Sequence, residues 1–231
     1  MAFDTDYMII FAHPDDAEFA VGGSVSKWTA KGKRVVYVAC TSGDKGSNDP
    51  ATISRELAQT REKEQREAAK VLGVKEVVFL RYPDQGLEET AEFRKALVCQ
   101  MRKFKPQVVI TMDPYRKYIW HRDHRITGQT ALDAVFPYVR DPLAFADLAA
   151  RGVEPHKVEE IWFFGTEDIN HPLDITDSFS KKMEALYCHK SQMDAMGREK
   201  VEGWVKERCR DMAKGTPFEY AEGFHRVVIP G

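Results

Sequence analysis

The chain has 231 residues, 43% hydrophobic and 30% charged, with a formal net charge of −2. This balance suits a globular protein with a sizeable core, and the lack of a basic surplus excludes a nucleic-acid backbone as its main partner. No stretch approaches the ~20 apolar residues that span a bilayer. The start, MAFDTDYMIIFAHPDD, has no basic region before its short apolar run, so a cytoplasmic protein without a membrane partner is expected.

Tyr7–Ala12 is a continuous apolar run that predicts a strand buried on both faces. After a polar loop, a helix is expected from about Ala17 to Lys31, ending at Gly32. Arg34–Cys40, rich in valine, predicts a second buried strand, and residues 41–50 form a loop dense in Gly, Ser, Asp and Asn. A long helix over Thr52–Leu72 stops at Gly73. A third strand over Glu76–Leu80, a turn at Pro83–Gly86, a helix over Thr90–Lys105 and a fourth strand over Gln107–Met112 follow. Beyond Asp113 a long loop, DPYRKYIWHRDHR, leads into a helix from about Ile126. A fifth strand at Glu160–Gly165, helices over Ser178–His189 and Met193–Lys214, and a short last strand at Arg226–Ile229 complete the pattern.

Strands alternating with helices over short connections predict an α/β fold. Its mostly parallel twisted sheet has helices on both faces, a Rossmann-like three-layer sandwich with residues 1–231 as one domain. Cys40, Cys99, Cys188 and Cys209 form no C-x-x-C pair and read as buried free thiols of a reducing compartment.

In such a sheet, ligands bind beyond the carboxyl ends of the strands. The loops there carry His13-Pro14-Asp15-Asp16, Thr41–Gly46, Tyr82–Gly86 and His121-Arg122-Asp123-His124. The first loop is no dinucleotide fingerprint, because Gly22 and Gly23 fall too late and two carboxylates stand where a pyrophosphate would bind. His13 and Asp16, three apart at a helix start, can share an ion. With one histidine of the His121/His124 pair they form a His₂-carboxylate set with an open position, the pattern of catalytic zinc. Fe(II) accepts the same set. Hydrolytic zinc fits better, because Asp15 stands beside the ligands as a base for a bound water whose pKa falls toward ~7. The remaining histidine could stabilise an oxyanion, and Asp123 could orient a histidine. By default Arg61 and Glu64 lie on a solvated helix face and Asp84 in a turn. His156, His171, His189 and His225 read as surface or cap residues.

Four motifs carry a resemblance over about Tyr7–Phe224: A-H-P-D-D at Ala12–Asp16, T-x-G-x-x-G at Thr41–Gly46, R-x-x-E at Arg61–Glu64, and H-x-D-H at His121–His124. The chain resembles the LmbE/PIG-L family of zinc-dependent N-acetylglucosamine deacetylases. Within that family, DPYRKYIWHRDHRITG, LDITDSFSKKMEALYCHKSQM and YAEGF resemble the diacetylchitobiose deacetylases. The resemblance implies Zn2+, or another divalent metal, on His13, Asp16 and His124. It also implies Asp15 as general base, His121 tuned by Asp123 for transition-state stabilisation, and Arg61 and Asp84 on the sugar. The implied reaction removes the N-acetyl group from a GlcNAc-containing small molecule in a homo-oligomer, a trimer or hexamer. Other N-acyl substrates, such as a glycosylated thiol precursor or a natural-product aminosugar, and a non-catalytic metal-binding role are the alternatives. Arg122 replaces the family's usual proline and is expected to lower the His121 pKa or reach the substrate. The family's chitobiose enzymes carry a longer tail, used across a subunit contact, than the stretch after Phe224 here.

Overall fold

A computed structural model describes residues 4–230. The apolar runs form the strands β1 (Thr5–Phe11), β2 (Val35–Thr41), β3 (Glu76–Tyr82), β4 (Pro106–Met112) and β5 (Glu160–Phe164). All seven residues of β2 are buried, as expected of a strand covered on both faces. Two further strands, β6 (His171–Asp174) and β7 (Ala221–Val228), complete one sheet in the order β3-β2-β1-β4-β5-β7-β6. The first five strands pair in parallel, while β7 runs antiparallel to β5 and β6.

The helices are α1 (Asp16–Ala30), α2 (Ser54–Val71), α3 (Ala91–Phe104), α4 (Arg122–Asp133), α5 (Ala146–Ala149), α6 (Phe179–Leu186), α7 (Lys190–Met196) and α8 (Arg198–Ala213). α1 and α2 pack with α6, and α3 packs with α4, so the sheet lies between two helical layers. The expected three-layer α/β architecture is what the chain adopts. The main core spreads over β1, β2, β4 and β5. A second apolar cluster, including Phe179, Met183, Leu186, Val201 and Val205, joins α6 to α8.

Three expectations need correction. The strand at Arg226–Ile229 begins earlier, at Ala221, and pairs with β6, a half-buried edge strand whose sequence HPLD carries no alternating pattern. The helix expected from Met193 to Lys214 is broken at Gly197, which adopts φ +83° between α7 and α8. The helix expected from Ile126 starts at Arg122, because the His121 side chain accepts the Asp123 N–H and caps it. All four cysteines are free, with Cys40 and Cys209 buried as expected and Cys99 and Cys188 half-buried.

The strand order sets the site. From β1 the chain moves outward through β2 to β3, then crosses back to β4 on the other side of β1. The loops after β1 and β4 therefore diverge at their carboxyl ends and leave a crevice. His13 leaves β1 there, and the His121–His124 loop enters α4 there.

Candidate active site

His13 and Asp16 meet at the start of α1. The Asp16 Oδ2 accepts the His13 backbone N–H at 2.7 Å and lies 3.4 Å from His13 Nδ1. From the β4 side, His124 Nε2 comes to 3.2 Å from Asp16 Oδ1. Donors held ~2.0–2.1 Å from a tetrahedral ion sit about 3.3 Å apart. The His13–Asp16 and Asp16–His124 contacts have that length, each on a different oxygen of the Asp16 carboxylate, and imidazole nitrogen with carboxylate oxygen is a donor set suited to a divalent metal. The three residues thus fit such an ion. His13, His121 and His124 also bring one nitrogen each within 4.8 Å of one another, so His13 and His124 are common to two candidate ligand sets.

The other ring nitrogen of His13 is held by carboxylates. Its Nε2 lies 3.1 Å from Asp84 Oδ1 and 3.3 Å from Asp123 Oδ2. A ligating histidine is commonly fixed this way, the far N–H donating to an acid. Asp84 and Asp123 are themselves tied down: Lys45 N–H donates to Asp84 Oδ2 at 3.1 Å, and Gln85 N–H to Asp123 Oδ2 at 2.7 Å. Although His13, Asp84 and Asp123 also cluster tightly, all three are buried and offer no access for substrate. Burial opposes protonation of His13, yet Asp123, Asp16 and Asp84 together raise its pKa well above the ordinary value. Against burial, the His13 contact holds Asp84 at about 2.

Asp15 sits beside this set in a left-handed conformation, φ +95°, which costs a non-glycine residue about 1–3 kcal/mol. Two α2 side chains, four residues apart, hold it. Gln65 Oε1 accepts the Asp15 N–H at 2.9 Å, and Arg61 Nη2 lies 3.2 Å from Asp15 Oδ2. Arg61 also donates to the carbonyls of Pro14 and Gly43. A Cβ on Gly43 or Gly46 would overlap the Arg61 guanidinium, so the glycines of T-x-G-x-x-G make room for it. Burial pushes the Asp15 pKa up to about 6, against the pull of Arg61 and with help from Asp16. Asp16 is driven the other way: His124 and His13 hold it well below the usual range despite burial. Adjacent carboxylates so separated suit different tasks.

His121 is exposed at the α4 N-terminus, its ring edge-on to His13 at 4.7 Å. Its Nδ1 accepts the Asp123 N–H at 3.1 Å, so the neutral ring carries its proton on Nε2. Its pKa is lowered by partial desolvation of the ring and then by His13 and His124. Arg122 takes no part in that. It turns away to donate to the Leu87 carbonyl and pairs with Glu88 at 2.7 Å, clamping the loop before α3.

The structure brings together all eight residues singled out in the sequence, with different partners in several cases. Arg61 and Asp84, expected on the sugar, are buried and bonded to protein. Asp123, expected to tune His121, acts on it through its charge, which raises the His121 pKa, while its Oδ2 contacts His13. Glu64, expected on a solvated face, is buried and accepts from Ser191 N–H at 2.8 Å and Ser191 Oγ at 2.7 Å. His189, expected at the surface, is fully buried against Glu18 at 3.1 Å. Glu18 accepts in turn from Gln65 Nε2 at 2.9 Å, completing a line from Asp15 to the start of α7. Gln65 and Glu18 were not singled out. The one available signal was spacing, since Gln65 follows Arg61 by one helical turn and shares its buried face.

The PIG-L family model, described as GlcNAc-PI de-N-acetylase, matches residues 8–135. The diacetylchitobiose deacetylase of Thermococcus kodakarensis is 34% identical over 224 residues, covering 97% of this chain and 83% of that protein. A probable N-acetyl-alpha-D-glucosaminyl L-malate deacetylase 2 of Bacillus anthracis is 31% identical over 192 residues, 80% of each. The structure of N,N'-diacetylchitobiose deacetylase from Pyrococcus horikoshii matches with a TM-score of 0.91 at 33% identity, covering 96% of this chain and 84% of that one. With the same fold along nearly its whole length and the family's motifs gathered at one crevice, the chain belongs to the PIG-L family of N-deacetylases.

Proposed function

We propose that this protein hydrolyses the N-acetyl group of a GlcNAc-containing small molecule, releasing acetate and a free amine, with zinc on His13, Asp16 and His124. The observation that carries the reading is the pair of 3.4 and 3.2 Å edges that Asp16 makes with His13 and His124, with Asp15 as the next residue along the chain. A divalent cation held there supplies a Lewis acid and lowers the pKa of a water.

Asp15 Oδ takes the proton of the water as it adds to the amide carbonyl, and later returns it to the leaving nitrogen. His121 Nε2–H donates to the carbonyl oxygen as charge grows there. Asp123 and Asp84 orient His13, and Arg61 with Gln65 fixes Asp15. In place of the direct sugar contacts implied by the resemblance, Arg61 and Asp84 act through the residues they hold. A homo-oligomer, trimer or hexamer, belongs to the same proposal and is read by sedimentation equilibrium. A cytoplasmic site of action is part of the same proposal; among the described residues no helix is long and apolar enough to cross a membrane.

The test is acetate release by zinc-loaded protein from GlcNAc, diacetylchitobiose and GlcNAc-malate, alongside Asp15→Asn. The variant should keep its metal and lose about 10²–10⁴-fold in rate. A wild-type rate in Asp15→Asn would remove Asp15 as the base, and no acetate from any N-acetyl aminosugar would remove the reaction.

A further inference from the structure

A cavity of 250 Å3 adjoins the metal-ligand set and serves none of the roles above. It lies between the Asp16–His124 edge and α8, with Phe19, Trp120 and Trp204 among its walls and Arg208 on the α8 side. Trp120 meets the His124 ring edge-on at 4.6 Å, and Phe19 meets Trp204 at 5.9 Å. Trp204 is 49% exposed, so the cavity opens to solvent on that side. Mostly apolar walls with few polar groups are the mark of a small-molecule subsite, the polar groups fixing orientation.

Across the cavity from Asp16 and His124, the remaining charged group of the lining is Arg208, a cation that pairs with no acid among the described residues. Other arginines at this rim are matched, Arg61 with Asp15 and Arg122 with Glu88. Half-buried Arg208 makes no ion pair or hydrogen bond among the described residues, and its guanidinium lies 5.4 Å from the Trp204 ring centroid. Asp211, one turn along α8, pairs instead with Lys214 at 2.7 Å. Arg116, stacked 4.3 Å over the Trp120 ring, is a second guanidinium without an acid on the same side. Burial and the Arg116 charge both weaken the hold of Arg208 on its proton. An incoming anion would relieve that strain on the guanidinium, whose planar fork matches carboxylate and phosphate oxygens.

Resting on the deacetylase reading, we propose that Arg208 makes this cavity a subsite for a carboxylate or phosphate on the substrate's aglycone. The preferred substrate is then an anionic GlcNAc conjugate and not a neutral oligosaccharide.

Zinc-loaded wild type and Arg208→Gln are compared by acetate release and by calorimetric binding. GlcNAc-malate and GlcNAc 1-phosphate are the charged probes; methyl GlcNAc and diacetylchitobiose are the neutral ones. Wild type should favour a charged probe by about tenfold or more in kcat/KM, and Arg208→Gln should cut that ratio about tenfold through KM, with partial recovery in Arg208→Lys. The malate and phosphate arms identify which anion is meant. Acetate release with charged and neutral probes treated alike overturns the subsite and leaves the deacetylase standing. Arg208-dependent binding of a charged probe, with no acetate from any probe, supports the subsite and removes the deacetylase reading.

Discussion

Replacing Gln65 by leucine removes one side-chain amide and changes little in size. In the wild type that amide accepts the Asp15 N–H at 2.9 Å and donates to Glu18 Oε1 at 2.9 Å. Gln65 and Glu18 are fully buried, so water cannot replace both bonds. Each unsatisfied buried group costs about 1–3 kcal/mol, and more when charged, so the two together should cost roughly 2–6 kcal/mol of stability. The change also frees the strained Asp15 backbone from one of its two α2 anchors. A displacement of ~1 Å at a reacting group costs about 10² in rate. Urea unfolding should therefore give a lower midpoint with an unchanged slope, and kcat should fall about 100-fold while bound zinc is retained. If Gln65→Leu unfolded within about 0.5 kcal/mol of wild type and kept its kcat, Gln65 would not be what holds Asp15.

Two further outcomes follow from buried charges. Lys182 Nζ lies 2.6 Å from Glu222 Oε1 with both side chains inaccessible, and Glu222 also accepts from Gly23 and Ser24 N–H. Glu222→Ala leaves an ammonium unpaired in the interior and should cost about 3–5 kcal/mol in urea unfolding; an unchanged midpoint would contradict this. The pKa of His189 is raised, because Glu18, Asp15 and Glu64 outweigh the burial that would lower it. A raised pKa adds stability that is full below the unfolded value of about 6.5 and lost as pH rises through the folded value. The stability advantage of wild type over His189→Gln should thus shrink as pH rises above about 6.5, and an advantage that grows with pH would refute the assignment.

What the sequence made legible is what local pattern encodes. The runs MIIF and VVYVAC suit strands covered on both faces, and in a parallel sheet the residues placed just after such strands gather at one rim. His13, Asp16 and the His121/His124 pair were readable for that reason, while the choice of His124 as the third ligand rests on the family resemblance. The partners of those residues were not, because they come from distant segments. Glu18 and His189 are 171 positions apart, and the helical spacing around each gives no hint of the other. Arg61 sits in a run of charges that reads as a solvated face until the glycines at 43 and 46 are seen to leave space for it. Arg122 looked poised over His121 until tertiary structure offered it Leu87 and Glu88. β6 was invisible because its neighbour β7, not its own composition, makes it a strand.

In the proposed site His13, Asp16 and His124 hold one divalent metal while His121 stays free for the reaction. Metal analysis after zinc loading and exhaustive dialysis tests it on wild type, Asp16→Ala, His124→Ala and His121→Ala. Wild type and His121→Ala should each retain about one equivalent of zinc per chain, and the other two should lose it. A full equivalent in Asp16→Ala, or loss in His121→Ala as complete as in His124→Ala, would contradict the ligand set.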